Sequence, residues 1–259
     1  MSRFLVHFLI LCLPLFISAQ ENVGDKALEK IDAKEVERAN KRVREFAKGH
    51  KLFQDLNITE HEKVFLKLIE QGVSPKTLFI GCCESKVVPE ILGIMNPENL
   101  FVIRVAGNFV PYDEFNNNDG ITASIQYAVD VLGVTEIIVC GHAGCGIIKA
   151  LFEPRPSTLN VISKWLRYGN ETQNDLETFA APNITPQERN DLAERISVIY
   201  QIEHLLTFPY IKKKVIEKQL FLHGWRFIAE RGEVDYYDGK NFKFIPLFAI
   251  QTNPDYYKR

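Results

Sequence analysis

The chain has 259 residues, a formal net charge of −2, 46% hydrophobic residues and 25% charged residues. That balance fills the core of one large domain or two small ones, and the near-neutral charge gives no electrostatic basis for nucleic acid as a partner. The Lys212-Lys213-Lys214 run reads as a solvated helix face.

Met1-Ser2-Arg3 opens the chain positively, residues 4–17 are almost wholly apolar, and Ser18-Ala19-Gln20 supplies small residues before Glu21. This order predicts a secretory signal peptide over residues 1–20, cut after Ala19 or Gln20. The apolar run is short for a spanning helix, which needs about 20 residues. The mature chain is therefore expected to have no stable membrane span and to be periplasmic or secreted. Cleavage takes Cys12 and leaves Cys82, Cys83, Cys140 and Cys145, too few for a disulfide scaffold in a chain of this size.

Residues 21–56 are rich in Glu, Lys, Arg and Ala, and Leu28, Ile31, Val36, Ala39 and Val43 fall near helical spacing. They predict an amphipathic N-terminal helical arm. A second helix is expected over Ile58 to Gln71, with Thr59 as N-cap, Glu62 completing a capping box, and Gly72 as the stop. The main domain is read as residues 57–259.

Within it, Thr77 to Ile80 reads as a strand, Val87 to Leu92 as a short helical stretch and Leu100 to Val105 as a second strand. After a turn cluster at residues 116–120, Ile125, Ala128, Val129 and Leu132 share one face of a helix over Thr122 to Leu132, stopped by Gly133. Ile137 to Cys140 is the third strand, and a helix follows from Gly146 through Leu151. Residues 154–185 mix short helices with loops. Glu188 to Thr207 is a long helix closed by Pro209, Lys212 to Gln219 a further helix, and Leu220 to Phe227 the fourth strand. Turns at Glu230-Arg231-Gly232 and Asp238-Gly239 lead into two antiparallel strands. Strands alternating with helices predict an α/β fold: a mostly parallel central sheet flanked by helices, with antiparallel edge strands and the N-terminal arm. The phosphate-loop, dinucleotide and nucleophile-elbow glycine motifs are absent from the sequence.

Chemistry concentrates in Cys82-Cys83-Glu84-Ser85-Lys86 and His142-Ala143-Gly144-Cys145, each just after a predicted buried strand. Carboxyl ends of parallel strands share one edge of the sheet, where ligands bind. Two thiols and an imidazole can meet there, and two cysteines with one histidine and an open fourth position recur as ligands of catalytic zinc. Gly81, Gly141, Gly144 and Gly146 let the backbone turn tightly around such a metal. With Cys82, His142 and Cys145 as ligands, zinc would generate a hydroxide to attack an electrophilic carbon. Two other readings stay open: buried structural cysteines with a core histidine, and a closed zinc with Glu84 in the fourth position. Cys83 and Cys140 read as structural thiols.

The same segments resemble the β-class carbonic anhydrases. That family's pattern is Cys-x-Asp-Ser-Arg, then Arg-Asn-Ala-Gly-Asn, then His-x-x-Cys. Here the three stand as Cys82-Cys83-Glu84-Ser85-Lys86, Arg104-Val105-Ala106-Gly107-Asn108 and His142-Ala143-Gly144-Cys145. The frames around them and Leu222-His223-Gly224-Trp225 agree, and the likeness spans about residues 45–247. The resemblance implies reversible hydration of CO2 to bicarbonate, Zn2+ as cofactor on Cys82, His142 and Cys145, and a homodimer or tetramer. Gly107 is expected to bring backbone near the substrate, Ser85 to hydrogen-bond backbone in its tight turn, and Arg104 to brace the loop ending at Asn108. The family's Asp–Arg pair, which keeps the acid off the metal, is replaced by Glu84 and Lys86. Glu is one methylene longer, and Lys offers a point charge where Arg offers a planar fork. The substitution leaves three expectations: a working Glu84–Lys86 pair, a zinc closed by Glu84 at neutral pH, or a zinc-holding protein with little turnover that binds bicarbonate. Hydrolysis of CS2 or COS is a further alternative. His204 and His223 are expected to pack, not to carry protons.

Overall fold

The computed structural model describes residues 33–72, 74–89, 99–114, 119–154 and 158–251. The predicted export signal, the first part of the arm and residues 90–92 of the expected short helix lie outside these. The chain divides into two units, residues 1–67 and 68–259.

Helix α1 (Ala33–Gln71) runs for 39 residues. The break expected near residue 57 is absent, so Thr59 lies inside the helix and not at its start. Asn57-Ile58-Thr59 contains neither Gly nor Pro, and a Thr-x-x-Glu spacing caps a helix only where the preceding chain has already left helical geometry. Gly72 does follow its end, at φ +72°, the left-handed conformation that closes helices.

The second unit is built on one six-stranded sheet of order β2-β1-β3-β4-β5-β6. Its strands are β1 (Thr77–Cys82), β2 (Leu100–Val105), β3 (Glu136–His142), β4 (Phe221–Ile228), β5 (Glu233–Asp238) and β6 (Lys243–Pro246). The first four are parallel, and β5 and β6 add antiparallel pairs at one edge, as the sequence predicts. β1 and β3 are apolar and buried along most of their length, as strands covered on both faces must be. Leu78, Ile80, Ile137 and Val139 enter one core with Val198 and Leu205. Phe79, Ile138 and Cys140 enter the other with Ile148, Leu151 and Leu166.

Helix α2 (Gly120–Gln126) continues as a π-turn over Tyr127–Val131, and Gly133 follows at φ +68°. Helix α3 (Gly146–Lys149) runs on as a 3-10 turn through Phe152. Val87 and Val88, read as helical, are not. Helices α4 (Asn160–Trp165) and α5 (Asn170–Phe179) occupy the stretch expected to be mixed. Helix α6 (Pro186–Leu205) starts before the expected Glu188, because Thr185 and Glu188 cap each other's backbone amides and Pro186 takes the first helical position. Pro209 likewise opens helix α7 (Pro209–Ile216) as well as ending what precedes it. Helix α8 (Leu247–Gln251) follows β6. The lysine run is only partly solvated, since Lys214 donates to the Val129 carbonyl and pairs with Asp130. No described helix is long and apolar enough to cross a membrane.

Candidate metal centre

β1 and β3 are parallel neighbours with Gly81 opposite Cys140, so Cys82 and His142 leave the same end of the sheet side by side. The turn after β3 brings Cys145 back toward Cys82, with their sulfurs 4.0 Å apart. One ligand atom each from Cys82, Glu84, His142 and Cys145 falls within 4.8 Å of the others. The first, third and fourth of these residues are buried, and Glu84 is half-buried. Residues 63 positions apart in sequence thus form one cluster of soft and borderline donors.

The orientation of His142 follows from its second nitrogen. Nδ1 lies 3.0 Å from the Ala143 carbonyl, which fixes the tautomer with the proton there and leaves a lone pair on Nε2. Nε2 is buried without a hydrogen-bond partner. A buried acceptor with nothing to accept is expensive, and a cation beside two sulfurs would remove that cost. Burial works against charging the ring, but proximity to Cys82 and the Ala143 carbonyl raise its pKa above the ordinary histidine value.

The two thiols separate in acidity. The contact with Cys145 drives the Cys82 thiol down, against burial, and the backbone amides of Glu84 and Gly107 favour its thiolate further. The same contact, with burial, pushes Cys145 up, because two adjacent thiolates repel. A divalent cation between them would offset that repulsion, so the donor set fits a metal. Cys140 is fully buried, its thiol pushed up to about 12 by burial. Cys83 is exposed beside the cluster, and burial with the neighbouring Cys82 raises its thiol as well.

Glu84 Oε1 accepts from the Gly146 amide at 2.7 Å, and Oε2 lies 3.2 Å from Lys86 Nζ. Lys86 in turn donates to the Gly144 carbonyl at 2.6 Å. Partial burial opposes ionisation of Glu84, but the Gly146 amide and Lys86 outweigh it and hold its carboxyl below the usual glutamate value. Arg104 donates from Nε to the Cys82 carbonyl at 3.2 Å and from Nη2 to the Glu84 carbonyl at 2.6 Å. It therefore braces the Cys82–Glu84 turn, where the sequence suggested the loop ending at Asn108. Gly107 sits at φ +72°, and a Cβ there would lie 2.7 Å from Ile147 Cγ2. Asn108 is buried at φ +51°, and Ser85 is exposed in the turn.

His204 is buried, with Nδ1 at 2.8 Å from the Val110 carbonyl, and His223 Nε2 lies 2.7 Å from Glu136. Both pack within the fold, and neither joins the cluster. Sequence reasoning missed Glu194, whose Oε1 accepts from the Cys145 amide at 3.2 Å. A carboxylate inside a helix reads as solvated surface, and no local signal marks its burial.

Residues 77–234 match the family model described as carbonic anhydrase. A carbonic anhydrase of Pseudomonas aeruginosa is 38% identical over 176 residues, covering 67% of this chain and 78% of that one. The structure of the β-carbonic anhydrase CcaA superposes with a TM-score of 0.74 at 30% identity, covering 80% of this chain and 92% of that one. One of two tetrameric β-carbonic anhydrases from the ascomycete Sordaria macrospora gives 0.65 at 26% identity, covering 76% and 96%.

Proposed function

We propose that this chain, which belongs to the β class of the carbonic anhydrase family, hydrates CO2 reversibly to bicarbonate and a proton with Zn2+ as its metal. The observation that carries the reading is the donor set: two buried sulfurs and a buried, unpartnered imidazole nitrogen at the ends of adjacent strands. Cys82, His142 and Cys145 would hold the ion, a set that suits zinc and leaves one position for water. When bound, Zn2+ supplies Lewis acidity that makes water a nucleophile near neutral pH.

The chain's own residues supply position and proton handling. Glu84, tethered by Gly146 and Lys86, offers a fixed acceptor that orients the attacking water toward the carbon of CO2. Lys86 keeps a positive charge beside that acceptor and is itself held by Gly144. Arg104 fixes the turn from which Glu84 projects. Gly107 brings its backbone near the substrate, and Ser85 and Asn108 support the two turns. Water adds to the carbon, one proton leaves to solvent, and bicarbonate departs.

The nearness of Glu84 to the sulfurs favours one second reading, in which its carboxylate becomes the fourth ligand and closes the site. Assembly as a homodimer or tetramer is proposed by analogy with the tetrameric Sordaria structures. Export to the periplasm or beyond is proposed from the apolar run at residues 4–17. It predicts a mature N-terminus at Gln20 or Glu21, and an intact Met1 in the soluble cytosolic fraction would contradict it.

The reaction is tested by stopped-flow assay of the zinc-loaded chain. CO2 hydration that is lost on chelation and restored by Zn2+ supports it. Stoichiometric zinc without CO2 turnover overturns it, as does faster hydrolysis of COS or CS2.

A further inference from the structure

We propose that Glu194 and Arg226 form a buried positioning pair that sets Cys145 for the metal, an inference that rests on the metal reading of Cys145. Glu194, on α6, and Arg226, on β4, are each 2% exposed. Glu194 Oε1 accepts from the Cys145 amide at 3.2 Å. Its Oε2 accepts from Arg226 Nε at 2.9 Å and Nη2 at 2.7 Å. Arg226 Nη2 also donates to Asp191 at 2.9 Å, and Nη1 lies 3.8 Å from Asp235.

These contacts reach the ligand turn from behind. β4 runs beside β3 with Arg226 opposite Gly141, and the Ala143 amide donates to the Phe227 carbonyl at 2.8 Å. The His142–Cys145 turn is thus held at two amides: one by the β4 backbone, the other by Glu194. Cys145 immediately precedes α3, and its own side chain caps nothing. Its amide is one of the donors that a helix start leaves without an internal partner. Losing Glu194 would free that amide to turn, and the Cβ–Sγ vector of Cys145 would turn with it.

Arg226 explains how a carboxylate is tolerated there. An isolated anion behind two thiolates would repel them. Two guanidinium donors converge on Oε2 and neutralise Glu194, leaving Oε1 for the Cys145 amide. A buried ion pair adds little net stability over apolar residues of similar size, so stability alone does not account for this one. Outer groups that orient metal ligands do.

The test uses the full-length chain with Glu194→Gln, and with Glu194→Gln combined with Arg226→Met. It reads the Zn2+ dissociation constant by chelator competition and the thiolate-to-cobalt absorption of the Co2+-loaded protein. In the single variant the Gln amide sets a donor against the guanidinium, so its acceptor is pulled from Cys145. Zn2+ affinity is expected to fall by about 10- to 100-fold, the usual effect of an outer-shell change, and the cobalt band to shift. The double variant keeps an acceptor for Cys145 without either charge, and is expected to restore the wild-type affinity and band. Wild-type affinity and spectrum in the single variant overturn the proposal, as does a double variant that binds no tighter than the single. Should the single variant not fold, a folded double variant with affinity at least about tenfold below wild type overturns it equally. Wild-type protein that takes up neither metal overturns the metal reading itself, and this one with it.

Discussion

Glu84 and Lys86 lie 3.2 Å apart, and each is tied a second time to the turn that carries Cys145. The Gly146 amide donates to Glu84 at 2.7 Å, and Lys86 donates to the Gly144 carbonyl at 2.6 Å. A half-exposed ion pair alone contributes little, about 0–1 kcal/mol. The charge-assisted bond from Gly146 is what anchors the acid. Glu84→Ala is therefore expected to lower CO2 hydration by more than about tenfold while zinc content stays at the wild-type level. Loss of zinc from that variant would mark Glu84 as a ligand.

Lys86→Met removes one of the two tethers. Glu84 is then expected to reach the metal at neutral pH, so that hydration falls there and recovers only at alkaline pH. Lys86→Arg, whose planar fork can serve both Glu84 and Gly144, should keep the wild-type pH–rate profile. A Lys86→Met profile that matches wild type across the range would show that the ion pair is dispensable.

Metal binding should register in stability. An ion that binds only the folded chain stabilises it by about 2.7 kcal/mol at a hundred times its dissociation constant. Added Zn2+ is expected to raise the Tm of the wild-type apoprotein and to leave that of Cys82→Ser or His142→Ala nearly unchanged. Equal shifts in all three proteins would place the stabilising ion elsewhere.

Gly107 and Gly133 separate backbone strain from crowding. Both have positive φ, but a Cβ at Gly133 meets nothing within 4 Å, whereas one at Gly107 lies 2.7 Å from Ile147. Gly133→Ala should cost about 1 kcal/mol from strain alone. Gly107→Ala should cost more and also reduce activity, because Gly107 and Ile147 flank the thiol cluster. Urea denaturation of the two variants measures the difference, and equal costs would count against the crowding.

His204 contributes to the pH dependence of stability with a definite sign. Burial lowers its pKa, against the Val110 carbonyl and Glu171. The unfolded chain, titrating near 6.5, therefore binds the proton more readily. Its contribution to stability is intact above about pH 6.5 and is lost as pH falls below it. His204→Asn, which keeps a donor for Val110, should flatten that part of the stability profile. An unchanged slope would assign the dependence to another group.

Much of this was legible in the chain. Apolar strands alternating with helices dictate a parallel sheet, and a parallel sheet brings Cys82 and His142 to one edge, where Gly81 and Cys140 stand opposite each other. Two identical Thr-x-x-Glu spacings mark the limit of local reading. At Thr185–Glu188 the pattern starts a helix, helped by Pro186; at Thr59–Glu62 it lies inside one that has no reason to stop. Arg104, Glu194 and Arg226 were harder still. Their partners lie 20 or more residues away, and nothing local in the sequence marks Glu194 and Arg226 as buried.

The most direct test of the whole account is the rate of CO2 hydration by the zinc-loaded chain from about pH 6.5 to 9. Rapid hydration across that range is predicted, because Glu84 is held by Gly146 and Lys86 and leaves the fourth zinc position to water. Activity confined to the alkaline end would contradict this and place Glu84 on the metal.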